Sequence, residues 1–146
     1  MADISFHGEA ETLIPFAGRE DQYHQWIQNI ARQENKTINY ITFIFCSDDY
    51  LLDINIKYLN HDYYTDIITF PYKEGDDIES DIYISVDRVK ENAEDYQESF
   101  ENELLRVMAH GVLHLIGYGD KTPEQSAIMR SKESQYIESF ANLFSL

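Results

Sequence analysis

Two histidines four residues apart are the feature of this sequence with the clearest chemical potential. His110 and His114 lie in the stretch HGVLHLIGYGD, residues 110–120. Residues four positions apart on a helix lie one turn apart on the same face, so both imidazoles can bind one metal ion. Gly117 and Gly119 then allow a sharp turn after the helix, which can bring Asp120 back as a third ligand.

Three protein ligands with one open coordination position are typical of a catalytic zinc site. The pKa of water bound at such a site falls to about 7, which makes that water a usable nucleophile. One Zn²⁺ ion is the expected cofactor, and other divalent ions stay open because the carboxylate of Asp120 is a harder ligand than imidazole. No catalytic side chain is predicted beyond the metal-bound water, and no small-molecule cofactor is expected.

Two other enzyme classes share parts of this ligand set. Zinc peptidases place a Glu directly after the first His as the general base, whereas this sequence has Gly111 there. A metallopeptidase would therefore lack its usual base. Non-haem iron oxygenases also use two His and one carboxylate, so the ligand types alone leave that alternative open.

The elements that must position these residues follow an α+β pattern. Apolar periodicity and turn signals predict strands at residues 4–6, 37–46, 67–72 and 81–86, with a turn at 74–77. Helices are predicted at residues 20–34, after Ser47, from Asp87 to Gly117, and after Thr122 with Pro123 as the first helical residue. The order β-α-β-α-β-β-α-α predicts a mixed sheet of about four strands covered by helices, with the metal site at the end of the central helix.

Length and charge limit the classes of function. The 146 residues suit a single domain spanning 1–146. Because 27 acidic residues outweigh 11 basic ones, the net charge of −16 repels phosphate backbones and anionic lipids, and RNA could bind only at a local site. The one cysteine, Cys46, fits a reducing cytoplasmic setting. No signal peptide or membrane span is expected.

Three collinear blocks resemble the YbeY-type bacterial rRNA maturation factors. The blocks are HGVLHLIGY at residues 110–118, TDIITFP at 65–71 and DIYIS at 81–85. The similarity spans roughly residues 48–138. It implies a metal-dependent endoribonuclease that is specific for single-stranded RNA and acts in rRNA maturation and ribosome assembly. The metal would activate water or polarise a phosphate oxygen.

The resemblance also implies a ligand set and partners. The zinc ligands would be His110, His114 and the residue at position 120, where the family usually has His and this chain has Asp120. Gly119 stands where the family often has Asp. The implied partners are ribosomal RNA and pre-ribosomal particles or ribosomal proteins, with no membrane partner.

A second departure concerns phosphate binding. Family members commonly carry an arginine followed by a glycine where this chain has Leu59 and Asn60, and that arginine is a natural phosphate clamp. Lys57 and His61 are the nearest substitutes in the sequence. The missing arginine and the acidic charge favour an alternative, a non-enzymatic ribosome-assembly factor with a structural metal that joins the last two helices.

The second half of the chain supplies cations that could make one cleft electropositive within the acidic surface. These are Arg88, Lys90, Arg106, Lys121, Arg130 and Lys132. A bound divalent ion would add to that local charge. Protein contacts on a ribosomal particle could then deliver the RNA.

Three further side chains have roles that the sequence leaves open. Asp66 and Asp81 either orient ligand imidazoles or act as turn and cap residues. Tyr118 either stacks on a base beside the metal or anchors the turn in the core. His7 and His24 are expected to be ordinary surface or edge histidines.

Overall fold

The computed structural model describes residues 3–73 and 76–144, which form a mixed α+β fold. The strands are β1 (Asp3–Gly8), β2 (Thr37–Cys46), β3 (Ile67–Lys73) and β4 (Asp77–Ser85). The helices are α1 (Glu20–Gln33), α2 (Asp48–Leu59), α3 (Val86–Asp95), α4 (Phe100–Ile116) and α5 (Pro123–Phe144). The predicted turn at 74–77 lies partly outside the described residues, because positions 74 and 75 are not among them.

The strands form one sheet in the order β1-β2-β4-β3. β1, β2 and β4 run parallel, and β3 pairs with β4 in the antiparallel direction. The prediction of a mixed sheet of about four strands covered by helices is therefore confirmed.

Alternating side chains bury both faces of the sheet. On β4, Ile82 and Ile84 join the main hydrophobic core together with residues of α1, α4 and α5. Tyr83 points to the opposite face and packs against a smaller cluster that includes Leu51 and Ile54 of α2. Period-two alternation explains this division. The continuous apolar run of β2 fits a strand with two covered faces.

The chain after Asp87 forms three helices where two were predicted. α3 ends at Asp95, and Gln97 adopts a left-handed φ of 56°. The Ser99 hydroxyl then accepts a hydrogen bond from the Asn102 backbone N–H and caps α4. Residues 94–99 carry a single apolar side chain, so that segment offers no buried face to extend the helix.

The predicted helix starts at Ser47 and Thr122 are confirmed. The Ser47 hydroxyl accepts from the Tyr50 N–H at 3.1 Å, and Thr122 Oγ1 accepts from the Gln125 N–H at 3.1 Å. β4 begins at Asp77, four residues before its predicted start, because Thr37 of β2 pairs with Asp77. Among the described residues, no helix combines the length and apolarity that crossing a membrane requires.

Candidate functional site

Helix α4 carries both predicted histidine ligands on a polar stripe. Most of the helix is buried, and its apolar side chains belong to the main core. Glu103, Arg106, His110 and His114 recur at intervals of three and four residues, the spacing that aligns side chains on one helical face. His110 is half-buried and His114 is exposed, so the stripe leads from the interior to the surface.

Gly111 lets this helix lie close to the sheet. A Cβ at position 111 would lie 2.8 Å from Ile67 Cδ1 of β3 and 3.5 Å from Ile82 Cδ1 of β4. A larger residue would have to displace these side chains. Gly111, which stands where zinc peptidases have their catalytic Glu, is therefore also a packing residue between α4 and the sheet.

The turn after α4 brings Asp120 back to His110. Gly117 adopts a φ of 128°, a conformation that favours glycine, and its N–H closes the helix on Leu113 and His114 carbonyls. Of the two glycines in the turn, only Gly117 has a positive φ. Asp120 Oδ2 lies 3.5 Å from His110 Nε2.

All three predicted ligands line one pocket of about 320 Å³, which we call the histidine pocket. Its lining residues are Thr65, Asp66, Ile67, Thr69, His110, Gly111, His114 and Asp120. Bonds of about 2.0 Å from a tetrahedral zinc ion place neighbouring donor atoms about 3.3 Å apart, close to the observed separation of His110 Nε2 and Asp120 Oδ2. The spacing of His110 and Asp120 therefore fits two ligands of one divalent metal ion.

His114, the third predicted donor, does not form a metal-binding group with His110 and Asp120 in the structure. Across residues 3–73 and 76–144, no three His, Cys, Asp or Glu side chains form a group that could hold a metal ion as they stand. His114 is exposed, so its side chain is free to rotate towards the pocket it already lines. The three-ligand metal site stays a prediction.

Glu133 of α5 fixes the orientation of His110. Its Oε2 lies 2.8 Å from His110 Nδ1, and only 5% of Glu133 is exposed. A carboxylate at Nδ1 accepts the ring proton there and leaves Nε2 facing the pocket and Asp120. The hydrogen bond to Glu133 raises the pKa of His110, more than burial lowers it. Glu133 is thus the orienting partner of the candidate ligand.

Arg106, which lies on the same polar stripe of α4, contacts Glu133 and Glu103. Its Nη1 lies 3.5 Å from Glu133 Oε1, and its Nε lies 3.7 Å from Glu103 Oε1. Burial raises the pKa of Glu103, which is 3% exposed. The guanidinium thus lies between two buried carboxylates, one of which is the Glu133 that contacts His110.

Sequence reasoning missed Glu133 as a site residue, although a local signal exists. Met129, Tyr136 and Phe140 form the buried stripe of α5, and Glu133 occupies a position within that stripe. A carboxylate on the buried face of a helix needs a partner in the fold. Such a position is a candidate for a site residue.

Of the two aspartates that could orient a ligand imidazole, Asp66 lies at the histidine pocket and Asp81 does not. Asp66 lines the histidine pocket, and burial raises the pKa of its carboxyl. Asp81 instead accepts a hydrogen bond from the Tyr72 hydroxyl at 2.9 Å and does not line that pocket. His7 and His24 also lie outside its lining.

Tyr118 anchors the turn that carries Asp120. Its hydroxyl donates to Glu34 Oε1 at 2.6 Å, and its ring packs against the main core. The same carboxylate accepts from the Tyr136 hydroxyl and, at 3.1 Å, from Lys132 Nζ. Of the two roles open for Tyr118, the structure supports the anchor.

Glu34→Gln is expected to lower the stability of the fold by about 2 kcal/mol at neutral pH. Burial alone would raise the pKa of Glu34, but hydrogen bonds from Tyr118, Tyr136 and Lys132 lower it below its usual value of 4.5. A depressed folded-state pKa stabilises the fold above the unfolded-state pKa, and this stabilisation is lost as the pH falls through the folded-state pKa.

Urea unfolding followed by circular dichroism at several pH values measures the effect. The stability difference between the natural protein and Glu34→Gln should be full above about pH 4.5 and shrink below it. Glu94→Gln, at an exposed position, is the matched control. A difference that stayed constant down to pH 3 would contradict the prediction.

The residues near the missing family arginine lie away from the histidine pocket. Leu59 is 39% exposed and is not part of the lining. Lys57 pairs with Asp53 at 3.0 Å, and His61 Nδ1 contacts the Tyr63 hydroxyl at 2.9 Å. Neither Lys57 nor His61 lines the pocket in place of that arginine.

Comparison with known proteins identifies the family. The protein-family model described as Endoribonuclease YbeY matches residues 9–141. The Endoribonuclease YbeY of Flavobacterium psychrophilum is 50% identical over 138 residues, which cover 94% of this chain and 96% of the relative. That of Cytophaga hutchinsonii is 52% identical over 133 residues, which cover 84% and 92%.

A solved structure agrees with these matches. A Thermotoga maritima protein solved in solution has a TM-score of 0.72 and 29% identity, and the match covers 97% of this chain and 91% of that protein. The resemblance seen in three sequence blocks is confirmed along nearly the whole chain, and so the chain belongs to the endoribonuclease YbeY family.

Proposed function

We propose that the protein is a cytoplasmic, single-domain, metal-dependent endoribonuclease that cuts single-stranded rRNA during ribosome assembly. Membership of the endoribonuclease YbeY family supports RNA cleavage over the peptidase and oxygenase alternatives. The observation that carries the metal dependence is the orientation of His110. Glu133 holds its Nδ1, and its Nε2 faces Asp120 in a pocket that His114 also lines.

His110, His114 and Asp120 would hold one zinc ion. A divalent ion at these ligands would supply Lewis acidity, which lowers the pKa of water and polarises phosphoryl oxygens. The residues themselves bind and orient. Glu133 keeps the proton of His110 on Nδ1, and the Tyr118 contact with Glu34 secures the turn that carries Asp120. The pocket stays open, so an RNA phosphate can enter.

The acidic surface supports a role for ribosomal partners. A net charge of −16 opposes strong binding of bare RNA. Contacts with ribosomal proteins or pre-ribosomal particles would supply much of the affinity. Binding of isolated RNA should therefore be weak and depend less on salt than the binding of a basic nuclease does.

RNA cleavage by metal-free and metal-restored protein tests the proposal. The protein is stripped with a chelator, dialysed and assayed on a labelled single-stranded RNA and on its duplex, with and without added Zn²⁺. Cleavage should appear only with the metal and only on the single strand. Equal cleavage by the stripped protein would contradict the metal dependence.

One observation favours a second function, a non-enzymatic assembly factor with a structural metal. The position of the family arginine is Leu59, and the histidine pocket contains no arginine or lysine. In that case, chelation would lower the melting temperature strongly while RNA stayed intact under every metal condition. A casein assay tests the peptidase alternative in parallel.

Asp120→His is expected to shift the pH optimum of RNA cleavage to lower pH. A neutral imidazole leaves a bound divalent ion a stronger Lewis acid than a carboxylate does. The pH profile of the cleavage rate, measured at saturating zinc, checks this. An unchanged profile would show that the charge at position 120 does not tune the metal.

A further inference from the structure

A second cleft, lined by residues of α3, α4 and α5, adjoins the histidine pocket. Its volume is about 300 Å³, and it shares Asp66, Ile67, His110 and Asp120 with that pocket. We call it the helical cleft. Asn92 of α3 and Tyr96, the residue that follows α3, line one part of the cleft. Arg130 of α5 lines another part. A ligand held in this cleft would therefore lie directly beside the candidate metal ligands.

Arg130 is the cation of the helical cleft that has no carboxylate partner among the described residues. Seven of the 11 basic residues form an ion pair, namely Arg19, Lys36, Lys57, Lys73, Arg88, Arg106 and Lys132. Arg106 also lines the cleft, but its guanidinium already contacts two carboxylates, Glu103 and Glu133. In a chain this acidic, an unpaired arginine beside a pocket is available to an anion. Its planar fork suits two phosphate oxygens.

Tyr96 supplies an aromatic surface to the same cleft. Its side chain is 66% exposed, which leaves the ring open to solvent. It differs from Tyr118, whose hydroxyl is held by Glu34. An exposed aromatic ring and a cation that line one cleft form the combination on which single-stranded nucleic acids stack their bases and place their phosphates.

The geometry points to the helical cleft as the binding site for one nucleotide of single-stranded RNA beside the metal ligands. Arg130 contacts its phosphate, and Tyr96 stacks on its base. This inference rests on the proposed function, because it places the RNA strand relative to His110 and Asp120. Arg106 faces Glu103 and Glu133, and Asp66 and Asp120 add further negative charge to the lining, so the attraction for phosphate depends on Arg130.

Fluorescence anisotropy with a labelled ten-residue oligouridine tests the proposal on zinc-loaded protein. The RNA is checked on a gel after each titration. Arg130→Gln should weaken binding about tenfold, and should reduce the slope of log affinity against log salt by about 0.7, the value for one lost single-strand phosphate contact. Tyr96→Ala should weaken binding about 5- to 150-fold, the range for losing one stacked base.

Two matched variants control for charge and for folding. The Arg32 side chain is exposed, bonds only to Asn29 among the described residues and does not line the cleft, so Arg32→Gln should keep the natural affinity and salt slope. Tyr96→Phe keeps the ring and should bind as the natural protein does. In cleavage assays, Arg130→Gln and Tyr96→Ala should raise KM more than they lower kcat.

The outcomes separate this proposal from the proposed function. If the natural protein cleaves RNA while Arg130→Gln and Tyr96→Ala bind and cleave as it does, the cleft proposal is wrong and the proposed function stands. If the natural protein never cleaves RNA but both variants still bind it more weakly, the cleft stands and the proposed function is wrong. An absence of any RNA binding by the natural protein would contradict the cleft proposal.

Discussion

His114→Ala is expected to reduce metal-dependent RNA cleavage by at least about 100-fold, since even an orienting partner of a ligand is worth about 10- to 100-fold. His114 lines the histidine pocket with His110 and Asp120, and without it two protein donors remain for the metal. Its side chain is exposed, so its removal leaves the core of α4 intact. Activity should therefore fall without a matching loss of stability.

The measurement combines cleavage rate, metal content and melting temperature for the same preparations. His7→Ala is the matched control, because His7 is also exposed and lies on β1, outside the pocket. The control should retain its zinc and its activity. A His114→Ala protein that still bound one zinc ion tightly and cleaved RNA at the natural rate would remove His114 from the ligand set.

The helix that carries this histidine could be predicted because its signals are local. The spacing of His110 and His114 and the buried residues between them follow the helical repeat, and Gly117 ends the helix with a positive φ. Ser47 and Thr122 likewise act within their own first turns. Each of these features depends on residues a few positions apart.

Features that depend on distant segments were not predicted. The pairing of Glu133 with His110 joins residues 23 positions apart and exists only because α5 packs along α4. The early start of β4 likewise depends on its pairing with Thr37 of β2. The helical cleft is also a product of packing, since Tyr96, just after α3, and Arg130 of α5 line it from distant parts of the chain. Local patterns carry no information about such distances.

The position of Asp120 depends on both local and distant residues. The sequence indicates a turn after α4 that could return the carboxylate to His110, and the structure places the two side chains 3.5 Å apart. That turn is held locally by the Ser126 hydroxyl, which donates to the Asp120 carbonyl, and also by a distant contact, the hydrogen bond from Tyr118 to Glu34 of the segment that follows α1. The return of Asp120 could be predicted from its neighbours, whereas Glu34, the partner through which Tyr118 anchors the turn, could not.

Glu133→Gln is expected to weaken zinc binding by about 10- to 100-fold at pH 8, the usual cost of losing the carboxylate that orients a ligand histidine. The amide keeps the size of the side chain but gives up the charge that holds the Nδ1 proton of His110. The same carboxylate raises the pKa of His110, so a proton competes with the metal at a higher pH in the natural protein than in the variant. The affinity difference should therefore be largest at high pH and narrow as the pH falls.

Competition with a coloured zinc chelator between pH 6 and pH 8.5 measures these affinities without any RNA. Glu138→Gln is the matched control, because Glu138 lies on the same helix with an exposed side chain. Glu133→Asp adds a second test, since it keeps the charge but withdraws the carboxylate from the ring, and it should fall between Gln and the natural residue. Circular dichroism establishes that each variant is folded. Equal zinc affinity for Glu133→Gln and Glu138→Gln at every pH would show that Glu133 serves α5 packing alone, and that His110 is oriented by the helix and Asp120 without it.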